Sequence, residues 1–159
     1  MEQKTLSKWL KCILIGVGLC GLAVYAVIIP LLGQTIVEQN PEFAFCYWPW
    51  LCFLWATGLP CYAALFLAWN VASNIGQNRS FSESNAKLFR WISGLAAGDA
   101  AFFFIGNVVM AFLNMNHPGI LLFSWLVVFA GVAVAVAAAV LSHLIKKAAA
   151  LQEQSDWTI

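Results

Sequence analysis

A single acidic side chain, Asp99, lies inside an apolar stretch that carries no other charge from residue 91 to residue 145. A carboxylate is costly in a bilayer, so it marks either a proton or ion relay or an interhelical hydrogen bond. On a continuous helix, Asn107 and Asn114 would lie within about 80° of Asp99 and form a polar stripe with it. We expect the hydroxyl of Tyr62 to donate a hydrogen bond to Asp99. Both roles of the stripe, relay and structural support, remain open at this point.

Other chemically capable residues are too scattered to form a site. His117 and His143 belong to opposite ends of the last apolar segment, so they cannot face each other as haem ligands. No Ser, His and acid can be assembled for nucleophilic catalysis, and no zinc-type ligand cluster occurs. We therefore predict a protein that is not an enzyme and needs no cofactor or metal.

The cysteines show no Cys-x-x-Cys spacing. Inside apolar segments a cysteine acts as a small packing residue. Cys46 and Cys52 lie near the predicted outer face, where an oxidising environment would allow them to pair. The five positions are Cys12, Cys20, Cys46, Cys52 and Cys61.

Charge-free intervals define four membrane spans in a chain that is 62% hydrophobic and 9% charged. A spanning helix needs about 20 apolar residues, and the intervals 12–37 and 43–78 each hold one such helix. The third long interval is broken by turn chemistry at 114–119, Asn-Met-Asn-His-Pro-Gly, and so holds two helices. The predicted spans are 12–33, 48–73, 91–113 and 120–145.

The basic residues fix the orientation of these spans. All of them fall on one side of the four-pass pattern, as in short cytoplasmic loops. Glu38 and Glu42 are the only charged residues on the other side. We predict one all-α domain over residues 1–159, a polytopic antiparallel bundle of four transmembrane helices. Its N- and C-termini, the loop 74–90 and the tail 146–159 would be cytoplasmic. The basic residues are Lys4, Lys8, Lys11, Arg79, Lys87, Arg90, Lys146 and Lys147.

The predicted cytosolic loop contains signals for a helix start. Ser80 and Glu83 have capping-box spacing, and Ser82 is a second candidate N-cap. Phe81 would then pack back onto the helix that runs into the third span. The residues that we single out as the loop motif are Phe81, Ser82, Asn85 and Arg90.

This loop motif, followed by Phe89-Arg90 and Ile92, resembles the family named domain of unknown function 2975, which consists of bacterial four-helix membrane proteins. Gly76 stands further upstream than the family pattern places its glycine. The resemblance extends over essentially the whole chain, including a tail motif in which a tryptophan replaces the family's leucine. That tail motif is Asp156, Trp157, Thr158 and Ile159.

The resemblance implies a multi-pass protein of the bacterial cytoplasmic membrane. Members of the family are often encoded beside a small helix-turn-helix regulator, which suggests such a regulator as a cytosolic partner. The basic residues are explained by topology, and the net charge is only +1, so we expect no direct nucleic-acid binding.

We therefore expect a non-catalytic interaction or regulatory protein, embedded in the lipid bilayer, whose loop and tail engage a cytosolic partner. The tail could add a strand to that partner or dock in a groove; the alternative is a disordered tail. A different hypothesis is a small transporter or channel-like homodimer with a polar path at Asp99. A stress or peptide-immunity protein acting within the bilayer is not distinguished from the first hypothesis.

Overall fold

The computed structural model describes residues 2–156, which form long helices joined by short connections and contain no strand. The prediction of an all-α membrane protein is confirmed. The helices are α1, Gln3–Ala23; α2, Ile29–Gln39; α3, Tyr47–Gly76; α4, Glu83–Phe112; and α5, Pro118–Asp156. A π-helical turn, Val24–Ile28, joins α1 to α2, and a 3₁₀ segment, Pro41–Cys46, leads into α3.

Four of the described helical segments are long and apolar enough to cross a membrane: Gln3–Gln39, Pro41–Gly76, Glu83–Phe112 and Pro118–Gln154. The predicted spans 12–33, 48–73 and 120–145 lie inside these segments, and the span 91–113 ends one residue past Phe112. The helices also extend past the spans, so the predicted loop 74–90 shrinks to residues 77–82, and the tail is helical as far as Asp156. Good helix formers between Lys146 and Gln154 explain the longer α5.

The π-helical turn follows from a proline one residue into α2. Pro30 has no backbone N–H, and its ring crowds the preceding turn. The N–H of Ile29 reaches back five residues to the carbonyl of Val24 instead of four. The carbonyl of Tyr25 is satisfied by the indole Nε1 of Trp55 on α3 at 2.9 Å. A tryptophan from the neighbouring helix thus compensates for a donor that the proline removes.

The segments pack in chain order, with α1 and α2 against α3, α3 against α4, and α4 against α5. Among the described residues, the Cα atoms of α5 approach those of no helix except α4 within 8 Å. Contacts between neighbours run antiparallel. Along the α1–α3 pair they are Ser7 with Ala72 and Gly18 with Tyr62; along α3–α4, Asn74 with Asn85 and Cys61 with Asp99; along α4–α5, Ala86 with Ser142 and Ser93 with Ala135.

The register places all eight Lys and Arg side chains at one end of the helices, which we call the basic end. Lys4, Lys8 and Lys11 lie in the first turns of α1, and Arg79 lies in the loop after α3. Lys87 and Arg90 begin α4, while Lys146 and Lys147 lie late in α5. The one-sided distribution of basic residues predicted from the sequence is therefore present in the fold.

Small residues allow close helix contacts at specific positions. A Cβ atom on Gly106 of α4 would overlap the ring of Phe53 on α3. A Cβ atom on Gly131 of α5 would lie 3.1 Å from the Cβ of Ala100. In contrast, Cβ atoms on Gly94 and Gly98 would meet nothing within 4 Å, so this small-xxx-small pair faces away from the other helices.

Gly106→Ala is expected to destabilise the α3–α4 contact by about 1–3 kcal/mol, because Phe53 must move to admit the methyl group. Gly94→Ala adds the same methyl group to the same helix in open space and is the matched control. Thermal unfolding of the purified protein in detergent measures both. Equal melting temperatures for the two variants would contradict the packing described here.

Candidate functional site

Asp99 lies on the α3-facing side of α4, where its partner is a thiol. The Sγ of Cys61 donates to Asp99 Oδ2 at 3.5 Å, and among the described residues no donor reaches the buried Asp99 Oδ1. The predicted bond from Tyr62 is wrong, because the Tyr62 hydroxyl donates to the carbonyl of Gly18 on α1 at 2.8 Å. Consecutive residues of a helix point about 100° apart, so Cys61 faces α4 while Tyr62 faces α1.

Asn107 is buried and stabilises the connection between α4 and α5. Its Nδ2 donates to the carbonyl of Phe103, and Asn116 Nδ2 donates to the Asn107 backbone carbonyl at 3.3 Å and to Oδ1 at 3.2 Å. The Nε1 of Trp50 on α3 donates to the carbonyl of Met115 in the same turn at 2.7 Å. The turn is therefore attached to two helices.

The predicted polar stripe is not continuous. Helix α4 ends at Phe112, and Asn114 is an exposed turn residue with a φ of 55°, so its helical angle to Asp99 has no meaning. Asp99 and Asn107 are about 12 Å apart along the helix axis and have separate partners. Tyr62 belongs to the α1–α3 contact. Asp99, Asn107 and Tyr62 therefore belong to three separate hydrogen-bonding sites and not to one path.

The loop at the basic end is organised by Asn85, whose side chain is 1% exposed. Its Oδ1 accepts from Asn74 Nδ2 at 2.7 Å, and its Nδ2 donates to the carbonyls of Arg79 and Ser80 at 3.0 Å each. One carboxamide therefore joins the end of α3, the loop and the first turn of α4. Asn74 was not anticipated, although an asparagine in the last turn of an apolar helix is a usable signal.

Ser82 is the N-cap of α4, and its Oγ accepts from the backbone N–H of Asn85 at 3.3 Å. The other candidate, Ser80, does not cap α4, because its hydroxyl donates to Gln3 Oε1 of α1 at 3.3 Å. Phe81 does not pack back onto α4. Its side chain is 60% exposed.

Two further serines connect the outer helices to this end. Ser7 of α1 donates to the carbonyl of Ala72 at 2.6 Å, and Ser142 of α5 donates to the carbonyl of Ala86 at 2.6 Å. We call the loop 77–82 with Asn74, Asn85 and these contacts the loop network. Its turn carries two exposed side chains, Arg79 and the aromatic Phe81.

The remaining site predictions are Arg90 and the tail motif. Arg90 is exposed on α4 and faces a cleft shared with α5. Asp156 ends α5, whereas Trp157, Thr158 and Ile159 lie outside the described residues. The five cysteines are free thiols, and Cys46, the buried one, lies at the end opposite the basic end. No group of three His, Cys, Asp or Glu side chains that could hold a metal occurs in the part of the chain that is described.

Comparison with known proteins finds a family and a full-length relative. The family described as protein of unknown function (DUF2975) matches residues 31–159. The uncharacterized membrane protein YoaS of Bacillus subtilis (strain 168) is 29% identical over 154 residues, which cover 95% of this chain and 96% of that protein. No solved structure matches the chain.

Asn85→Ala is expected to loosen the loop, because it leaves the carbonyls of Arg79 and Ser80 and the amide of Asn74 without their partner. Each buried group left unpaired costs about 1–3 kcal/mol. We expect trypsin to cleave the variant after Arg79 faster than the native protein when both are held in nanodiscs. Mass spectrometry of the released peptides measures the cleavage rate.

The neighbouring Ser84→Ala is the control, since Ser84 is exposed and its hydroxyl makes no hydrogen bond among the described residues. Equal cleavage of the two variants would show that Asn85 does not hold the loop.

Proposed function

The chain belongs to the DUF2975 family of proteins of unknown function, and we propose that it is a non-catalytic membrane protein whose basic end binds a cytosolic regulator. The observation that carries this proposal is the loop network. It holds Phe81 outward on a turn whose backbone is fixed by Asn85. A preformed turn loses little conformational entropy on binding, which favours recognition.

The exposed surface of the loop defines the partner's chemistry. Phe81 is an aromatic anchor of the type that dominates protein interfaces, and Arg79 beside it is exposed and forms no ion pair within the described residues. The complementary surface is an apolar pocket with an acidic rim. A small helix-turn-helix regulator, the partner suggested by the family resemblance, would meet this requirement with a surface outside its DNA-binding face.

The helical extension of α5 leads toward a second contact. About two turns of helix follow Lys147 and continue to Asp156, so the helix extends beyond the basic residues of α5. The tail motif would then bind as a short polar-to-apolar segment. The orientation follows from the basic end, which we place in the cytoplasm of the bacterial cell.

Recruitment is tested by crosslinking in inside-out membrane vesicles, followed by purification and mass spectrometry. We expect a cytosolic protein to be recovered with the native chain, to be reduced at least tenfold by Phe81→Ser, and to be lost on deletion of residues 155–159. Ser84→Ala is the control for the loop, and membrane insertion should be unchanged in all variants.

Right-side-out vesicles provide the orientation control, since the loop and tail would then be enclosed. Recovery of the same protein from both kinds of vesicle, or equal recovery with Phe81→Ser, would contradict the proposal. Recovery of a partner that has no helix-turn-helix domain would support the interaction function but would contradict the proposal that the partner is a helix-turn-helix regulator.

A second candidate function is transport, favoured by the buried Asp99 Oδ1, which has no hydrogen-bond partner in the part of the chain that is described. It requires a polar path, and the separation of Asp99 from Asn107 by apolar turns of α4 weighs against one. We expect proteoliposomes to show no pH-driven flux across a panel of ions and small solutes. Flux that is lost in Asp99→Asn and kept in Cys52→Ser would establish transport instead.

A further inference from the structure

A cleft with a volume of about 430 Å³ lies between α4 and α5 at the basic end. Four basic or imidazole side chains line it, together with Ser93 and Ser142. The two lysines and the arginine are exposed and form no ion pair among the described residues. The salt bridge found there joins Lys87 to Glu83 instead. The cleft therefore has an unbalanced positive charge. Its charged or titratable residues are Arg90, His143, Lys146 and Lys147.

An apolar groove with a volume of about 420 Å³ continues from this cleft along the same two helices. Ser93 and Ala139 line both, so the two spaces are contiguous. The lining residues lie on one face of each helix. They follow Ser93 on α4, and Val128 on α5, by four, seven, eight and eleven residues. The remaining lining residues are Ala97, Ala100, Ala101 and Phe104 of α4 and Val128, Val132, Ala135 and Val136 of α5.

The dimensions of the groove match one leaflet of a bilayer. From Ser93 to Phe104 the helix rises about 16 Å, and Val128 to Ala139 covers the same distance on α5. Half of the hydrocarbon core is about 15 Å thick. The groove thus begins where the basic residues stand and ends near the middle of the membrane.

We propose that this α4–α5 surface binds an anionic phospholipid, with its headgroup phosphate at Arg90, Lys146 and Lys147 and one acyl chain in the groove. A guanidinium binds phosphate oxygens in a bidentate manner, and lysines add point charges. Basic pockets between transmembrane helices on the cytoplasmic side suit such headgroups. A free phosphate would use the charges but leave the adjoining groove empty. The proposal does not rest on the partner binding proposed above.

The test is native mass spectrometry of the whole chain in detergent, titrated with phosphatidylglycerol, phosphatidylcholine or inorganic phosphate. We expect phosphatidylglycerol to bind at least tenfold more tightly than phosphatidylcholine. The triple variant Arg90→Gln, Lys146→Gln, Lys147→Gln should lose that preference, because charge-assisted hydrogen bonds to phosphate are worth roughly tenfold or more in affinity.

A second triple variant, Lys4→Gln, Lys8→Gln, Arg79→Gln, removes the same charge from exposed positions at the same end of the molecule and is the matched control. If both triple variants weakened phosphatidylglycerol binding equally, the effect would come from the overall positive charge of this end, and the proposed binding site would be wrong. All six residues are exposed, so lipid-free melting temperatures should stay the same and show that both variants fold.

Ala97→Leu fills the groove without a change of charge and separates a lipid site from an anion site. We expect it to weaken phosphatidylglycerol binding while leaving competition by inorganic phosphate unchanged. Full competition by inorganic phosphate, together with no effect of Ala97→Leu, would mean that the cleft holds an anion only and would overturn the lipid assignment.

Discussion

Side-chain donors that reach a backbone carbonyl on a neighbouring segment hold these helices together. Within a bilayer the lipid is as apolar as the side chains, so helix association depends on close packing and on such hydrogen bonds. Few residues are fully buried, and the buried set includes more serine, asparagine and alanine than large aliphatic side chains. The bonds are Ser7 to Ala72, Tyr62 to Gly18, Trp55 to Tyr25, Trp50 to Met115, Ser93 to Ala135 and Ser142 to Ala86.

Helix α4 is held at both ends by a buried asparagine. Asn85 gathers the end of α3 and the loop around its first turn, and Asn107 with Asn116 holds the turn that leads into α5. These are the two largest fully buried side chains in the described part of the chain. A carboxamide can donate and accept at once, so one residue satisfies several backbone groups where water is scarce. The connections on the two sides of α4 are thereby fixed, and the loop has a defined shape to present.

The spans, their number and the charge asymmetry could be predicted from the sequence because hydropathy and charge are properties of the residues themselves. The role of Ser82 could also be inferred, since capping is local, whereas Asn85 was indicated only by the family resemblance. The partner of Asp99 could not, because it depends on how α3 is rotated, and one residue decides between Cys61 and Tyr62. Asn114 was placed on a helix that in fact ends before it, which shows how an angular argument fails once the helix boundary moves.

The arrangement of the helices in chain order gives α5 a particular position. It contacts α4 and no other described helix, so its placement at the basic end rests on the α4–α5 interface, where Ser142 binds the carbonyl of Ala86 next to Asn85. The proposed lipid cleft and the loop network therefore meet at a single hydrogen bond. The residues that would carry lipid binding are distinct from Phe81 and Arg79, which would carry partner binding. The two proposed activities are thus adjacent in the fold but chemically separable, since one would depend on charge beside an apolar groove and the other on an aromatic ring held outward by a buried amide.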